Sequence, residues 1–201
     1  MIKNVVFDIG NVLAGFVWQD FFKSFGFSQE ICERIADATV RDPFWSEVDR
    51  GVLSDEELLA GFIKRDPEIE GEIRQVFQDI SHMLIRYDYA IPWIRELKNQ
   101  GYGVYYISNF GRQPHIQCSQ VLDFLPEMDG GILSYQDQLI KPSPEIYRLF
   151  LKRYGLKAEE CVFIDDTQVN ITAALAEGME GILFVTLEQT KQELQKKLLK
   201  K

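Results

Sequence analysis

Apolar residues gather in short runs at Val5 to Ile9, Val104 to Ser108, Gly131 to Leu133, Cys161 to Asp165 and Ile182 to Val185. These runs are rich in β-branched and aromatic side chains and apolar at consecutive positions, so each predicts a strand covered on both faces. Helix-like periodicity fills most of the intervals, and its punctuation is good. Pro92 stands near the start of a helix that runs out at Gly101, Pro144 opens one ending before Gly155, and one after Thr167 is stopped by Gly178. Alternation of this kind predicts an α/β fold, a parallel sheet flanked by helices.

The stretch from Ala14 to Tyr87 breaks the alternation. It carries four helix-like patterns and no convincing strand, and is expected to be an inserted all-α lobe (14–87) between two pieces of one α/β core (1–13 and 88–201). Within it Ser54-Asp55-Glu56-Glu57 is a capping-box start before the apolar face of Leu58, Leu59, Phe62 and Ile63. Phe16, Trp18, Phe21 and Phe22 form an aromatic group expected to pack between the lobes. A chain of 201 residues has room for one substantial core and a small accessory lobe.

Charge narrows the list of partners. Lys and Arg total 22 against 31 Asp and Glu, and a net charge of −9 repels nucleic-acid backbones, so no nucleic-acid partner is expected. Lys196, Lys197, Lys200 and Lys201 suit a solvated helix end. Cys32, Cys118 and Cys161 are scattered, without paired metal spacing or a disulfide framework. No apolar run approaches the roughly 18 residues that span a bilayer, and the N-terminus enters a strand directly. The expectation is a soluble, cytoplasmic protein with no membrane partner. The sequence leaves the oligomeric state open.

Four strand ends carry polar residues: Asp8, Ser108-Asn109, Asp165-Asp166 and, after a loop, Lys141-Pro142. Each alone is an ordinary turn or cap feature. In an open parallel sheet, however, the ligand crevice lies beyond the carboxyl ends of the strands where strand order reverses, and distant strand ends converge there. Asp8, Asp165 and Asp166 would then be three mutually repelling carboxylates, a hard-oxygen set suited to Mg²⁺. Lys141 could neutralise charge on a nucleophile or a phosphate, and Ser108 and Asn109 could donate hydrogen bonds to phosphate. With Asp8 as nucleophile this outlines phosphoryl transfer through an aspartyl-phosphate.

In order and context these residues resemble the haloacid dehalogenase superfamily of aspartyl-nucleophile hydrolases, in its phosphatase branch with a helical cap inserted after the first strand. The resemblance covers essentially the whole chain. It implies a Rossmann-like core, a cap over 14–87 that selects substrate, Asp8 and Lys141 as catalytic residues, and Asp165-Asp166 as the acidic pair followed by Asn170. It also implies a Mg²⁺ ion held by Asp8, Asp165, Asp166 and the main-chain carbonyl of Gly10, and a small phosphorylated substrate.

Gly10 is the departure, because most phosphatases of the family carry a second Asp there as general acid and base. That help is commonly worth about 10²- to 10⁴-fold. Dehalogenases of 2-haloacids also lack this Asp, but they lack the adjacent acidic pair as well and fit less closely. The Asp8-x-Gly10-Asn11-Val12 turn and the segment Phe44-Trp45-x-Glu47-x-x-Arg50-Gly51-x-x-Ser54-Asp55-Glu56 are similar to bacterial sugar-phosphate phosphatases of the glucose-1-phosphatase type. Trp45 would then stack on a sugar and Arg50 pair with phosphate. His115 is a candidate substitute proton donor by its unperturbed pKa. The rival expectation is a catalytically weak member that binds a phosphorylated ligand or a partner.

Overall fold

The computed structural model describes residues 1–199; Lys200 and Lys201 of the basic C-terminus lie outside it. β1 (Asn4–Phe7) is buried along its whole length. A tight turn leads to the short strand β2 (Ala14–Phe16), and five helices follow: α1 (Trp18–Ser24), α2 (Gln29–Ala38), α3 (Trp45–Arg50), α4 (Asp55–Arg65) and α5 (Glu70–Gln78). β3 (Leu84–Arg86) then returns the chain to an alternating series: α6 (Ala90–Asn99), β4 (Gly103–Ser108), α7 (Arg112–Gln117), β5 (Gly130–Leu133), α8 (Ser134–Asp137) and α9 (Pro144–Tyr154). β6 (Cys161–Asp165), α10 (Gln168–Ala176), β7 (Glu180–Leu183) and α11 (Leu187–Leu198) complete it.

The main sheet has the order β5-β4-β1-β6-β7, with every neighbouring pair parallel. The chain builds outward from β1 through β4 to β5, then crosses back to β6 and β7. Strand order therefore reverses at β1, and the crevice beyond its carboxyl end is the expected place for a ligand. On one face Val5, Phe7 and Val104 pack with Trp93, Ile94 and Leu97 of α6. On the other Val6, Ile107 and Phe163 pack with Ile146, Tyr147 and Phe150 of α9 and with Ile171 and Ala174 of α10. The parallel sheet covered on both faces is the Rossmann-like α/β arrangement that the apolar runs predict.

The stretch expected to be free of strands contains two. Ala14–Phe16 pairs antiparallel with Leu84–Arg86, and Val17 N donates to Met83 O at 2.9 Å to extend the ribbon. Three-residue strands are too short to show an alternating pattern, and each is held by a partner some 70 positions away in sequence. Between them the helices close around a core of their own that includes Phe22, Ile35, Phe62, Ile73 and Val76. α4 begins at the expected capping box: Glu57 N donates to Ser54 Oγ (3.2 Å) and Ser54 N to Glu57 Oε2 (2.8 Å). Trp45, Glu47 and Arg50, expected just ahead of a helix, form their own short helix α3. Gly51 ends α3 at φ +70°, and a Cβ there would meet Tyr135 at 2.6 Å, so both backbone and packing require glycine.

Candidate active site

Asp8 leaves β1 still tied to the sheet, since its N–H donates to Ile164 O of β6 at 2.8 Å. One carboxylate oxygen, Oδ1, accepts from the Ile9 N–H (2.7 Å) and the Ser108 hydroxyl (2.7 Å), and lies 2.9 Å from Lys141 Nζ. No donor among the described residues is assigned to Oδ2, so the carboxylate is gripped on one side and open on the other. Lys141 is buried at 4% exposure and bridges Asp8 and Asp165, the latter at 2.6 Å. Asp165, fully buried, also accepts from Asn170 Nδ2 at both oxygens (3.1 Å each) and from the Thr167 N–H (2.7 Å). Asp166 points outward. Its oxygens accept from Asn11 Nδ2 (3.0 Å) and the Thr167 hydroxyl (3.1 Å), and Asn11 reaches it from a left-handed turn at φ +55°.

Oxygens of Asp8, Asp165 and Asp166 lie within 4.8 Å of one another. Three carboxylates against the single ammonium of Lys141 leave two negative charges uncompensated, in a setting of hard oxygen donors. That donor set and charge fit a divalent cation such as Mg²⁺. The electrostatics carry the same sign. Burial pushes the Asp8 carboxyl well above the ordinary carboxylate range; Lys141 opposes this and the charge of Asp165 adds to it. Burial acts to depress Lys141, but Asp8 and Asp165 together raise it, so it stays an ammonium.

Two strand-end residues are engaged differently from expectation. The single hydroxyl proton of Ser108 is directed at Asp8 Oδ1, which makes Ser108 an anchor of that carboxylate in this arrangement, where a phosphate ligand was expected. The carboxamide of Asn109, also expected on phosphate, clamps the Lys141 backbone: Oδ1 accepts from Lys141 N (2.7 Å) and Nδ2 donates to Lys141 O (3.0 Å). Both hold the charged groups in place.

A cavity of about 230 Å³ opens above the site. Asp8, Gly10, Asn11, Asp166 and Thr167 form its floor, and Phe16, Trp45, Val48, Ile80, Met83 and Phe110 contribute apolar wall. A second cavity of about 170 Å³ shares Trp45, Val48, Ile80 and Pro114 with the first and continues among Leu58, Leu59, Phe62 and Phe77. Trp45 thus reaches the cavity, its ring packed with Phe16 (5.9 Å) and Phe62 (5.9 Å). Arg50 does not line it. Its guanidinium turns back to Glu47 at 3.2 Å, because three residues along a helix place those two side chains together. His115 also stands outside the lining, 2.8 Å from the Tyr135 hydroxyl, with burial lowering its pKa.

Sequence reasoning missed Asp49. It lies on α3, half-buried, and lines the same cavity as Asp8, and its carboxyl has no hydrogen-bond or ion-pair partner among the described residues. Burial pushes it up to about 7, with Lys141 opposing and Asp8 adding. The available signal was helical spacing, since Trp45, Val48 and Asp49 fall at i, i+3 and i+4 and so share one face.

A family model for haloacid dehalogenase-like hydrolases matches residues 2–178, and the chain belongs to that family of hydrolases. A sesquiterpene phosphatase of Aspergillus oryzae is 26% identical over 180 residues, covering 90% of this chain and 88% of its own. A drimenol cyclase of Aspergillus calidoustus is 23% identical over 197 residues, 96% of this chain but only 36% of that longer protein. Among solved structures, a haloacid dehalogenase family enzyme of Bacteroides thetaiotaomicron in complex with magnesium and inorganic phosphate superposes with a TM-score of 0.70. It is 22% identical, and the match covers 91% of this chain and 94% of that one. No helix among the described residues is long and apolar enough to cross a membrane.

Proposed function

We propose that this hydrolase is a Mg²⁺-dependent phosphatase of small phosphorylated metabolites, working through an aspartyl-phosphate on Asp8. The observation that carries the reading is the one-sided grip on Asp8: Ser108, Lys141 and the Ile9 N–H hold Oδ1 while Oδ2 is left to attack, at a cavity floor rich in carboxylates. Asp8, Asp166 and the Gly10 main-chain carbonyl would hold the ion, with Asp165 beside them as ligand or support. Bound there, Mg²⁺ would neutralise charge on the phosphate oxygens and on Asp8. Asp8 Oδ2 attacks phosphorus in line as the ester oxygen departs. Water then attacks the same phosphorus and Asp8 is released as carboxylate. Lys141 balances charge on Asp8 throughout, and Asp165, Asn109 and Asn170 keep Lys141 and its partners from shifting.

The cavity wall supports a largely apolar leaving group. Beyond the catalytic floor, Asp49 and the Trp45 indole are the polar features that α3 brings to the first cavity, and the adjoining cavity is lined by apolar side chains, Leu58, Leu59, Phe62 and Phe77 among them, together with Asp55, Glu56, Arg112 and Gln113. Against the wall of Phe16, Val48, Ile80, Met83 and Phe110 in the first cavity a sugar ring would leave hydroxyls unpaired, at a cost for each. The similarity to a sesquiterpene phosphatase points the same way.

The test is a screen of purified protein against prenyl, aryl, sugar and nucleotide monophosphates with and without Mg²⁺, beside Asp8→Asn. The expected result is Mg²⁺-dependent release of phosphate, highest kcat/KM on apolar esters, and a loss of several orders of magnitude in the variant. Equal rates for Asp8→Asn and the parent, or binding of phosphate without turnover of any ester, would overturn the proposal.

A further inference from the structure

The catalytic scheme above lacks a proton donor for the departing oxygen, since Gly10 stands where most phosphatases of the family carry an acid. Space is not the reason. Gly10 lines the cavity, its φ lies outside the left-handed region, and a Cβ added there would meet no atom within 4 Å. The cavity nevertheless holds one carboxyl that the metal and nucleophile groups do not account for. Asp49, carried by α3, lines the same cavity as Asp8, Gly10 and Asp166.

We propose that Asp49 is the general acid and base of this enzyme, supplied by α3 in place of the residue missing at Gly10. The inference rests on the phosphatase reading and adds to it the source of the proton.

Three observations carry it. Asp49 shares the cavity with the nucleophile, and no donor or cation among the described residues occupies its carboxyl, so the group is available to substrate. Its position is held from the core. Ser134, fully buried on α8, donates to the Asp49 carbonyl at 2.6 Å and accepts from the Phe110 N–H at 2.9 Å, so the helix turn bearing Asp49 is pinned to the loop following β4. Gly51 lets α3 end directly against Tyr135, two residues after Asp49. Burial beside Asp8 also keeps its proton to about pH 7, as a donor near neutrality requires.

In the first step the Asp8 Oδ2–P bond forms and the P–O bond to the leaving group breaks, while the Asp49 proton passes to the departing oxygen and gives a neutral alcohol. In the second, Asp49 carboxylate takes a proton from water as its oxygen bonds to phosphorus. The P–O bond to Asp8 breaks, inorganic phosphate leaves, and Asp49 is protonated again. The sum is ester plus water to alcohol plus phosphate.

The experiment compares Asp49→Asn and Asp49→Glu with the parent on two Mg²⁺-loaded substrates: p-nitrophenyl phosphate, whose phenolate leaves unaided, and an alkyl phosphate, whose alkoxide does not. For the phosphorylation step, read as the single-turnover rate of alcohol or phenol release, Asp49→Asn is expected to lose about 10²- to 10⁴-fold on the alkyl ester and only a few-fold on the aryl ester. Asp49→Glu keeps a carboxyl and should lose less on the alkyl ester. Adding Gly10→Asp to Asp49→Asn should restore alkyl-ester turnover, because the open space there admits the side chain. Equal losses on both esters, or none on either, would overturn the role of Asp49 while leaving the phosphatase reading intact. A parent inert towards every ester would overturn both.

Discussion

At the scale of single residues the site is a balance of buried charge. Lys141 sits between Asp8 at 2.9 Å and Asp165 at 2.6 Å, and removing a partner from such a group leaves an uncompensated charge in a low-dielectric setting. Lys141→Met is therefore expected to cost about 3–5 kcal/mol of stability, measured by urea unfolding in metal-free buffer, besides abolishing turnover. Stability unchanged in that variant would contradict the tight coupling seen here. Asp8 and Asp165-Asp166 were legible in the sequence because each stands at a strand end, where side chains of distant origin must meet, whereas Lys141 follows α8 and was legible from its order among the other motifs. The use made of Ser108 and Asn109 was not legible: a hydroxyl or carboxamide beside a crevice has several partners within reach, and packing alone selects Asp8 Oδ1 and the Lys141 backbone. The same applies to Arg50 and His115, whose chemistry suits phosphate or proton transfer but whose positions turn them to Glu47 and Tyr135.

Among the elements, α3 decides most. It is six residues long, too short to be stable by itself, and is held by Val48 packing in the helical core, by Ser134, and by the turn at Gly51. Gly51→Ala would force a Cβ into Tyr135 and an L residue into φ +70°, so a loss of at least about 1–3 kcal/mol is expected from the backbone strain alone. Because α3 carries Trp45 and Asp49 into the cavity, kcat/KM should fall in the same variant at temperatures where it remains folded. Thermal unfolding and kinetics on one preparation check both, and a fully active, equally stable variant would show that α3 tolerates displacement. The longer elements were readable from pattern and punctuation: α4 from its capping box, α9 from Pro144 and Gly155, and the five core strands from their apolar runs. The ribbon of β2 and β3 was not, since three residues carry too little periodicity and its pairing spans the whole helical insertion.

For the whole molecule, the excess of negative charge at the crevice links stability to pH and metal. Asp49 rises from 3.8 to about 7 on folding, and Asp8 rises as well. The folded protein thus retains protons that the unfolded chain releases, and their contribution to stability is fully present below about pH 4 and lost as pH climbs towards about 7. Many surface carboxylates shift the other way, among them Glu57 and Asp66, so the difference between variant and parent is the informative quantity. In EDTA, Asp49→Asn is expected to melt higher than the parent at pH 8, with the difference shrinking at pH 4. Mg²⁺ should raise the Tm of the parent, by mass action on the folded state alone, and should do so more at pH 8 than at pH 5, where protons compete for the carboxylates. A Tm indifferent to Mg²⁺ at both pH values would argue against the ion site. By itself the sequence determined the alternation of strands and helices, the interruption of the core by a helical segment, and the convergence of Asp8 and the acidic pair at strand ends with Lys141 beside them. Local periodicity and strand-end geometry suffice for those. Only the tertiary structure decided which oxygen of Asp8 stays open, what lines the cavity above it, and that Asp49 reaches it. Those depend on how a short helix, a buried serine and a two-stranded ribbon set one lobe against the other, and no local pattern encodes contacts made across that distance.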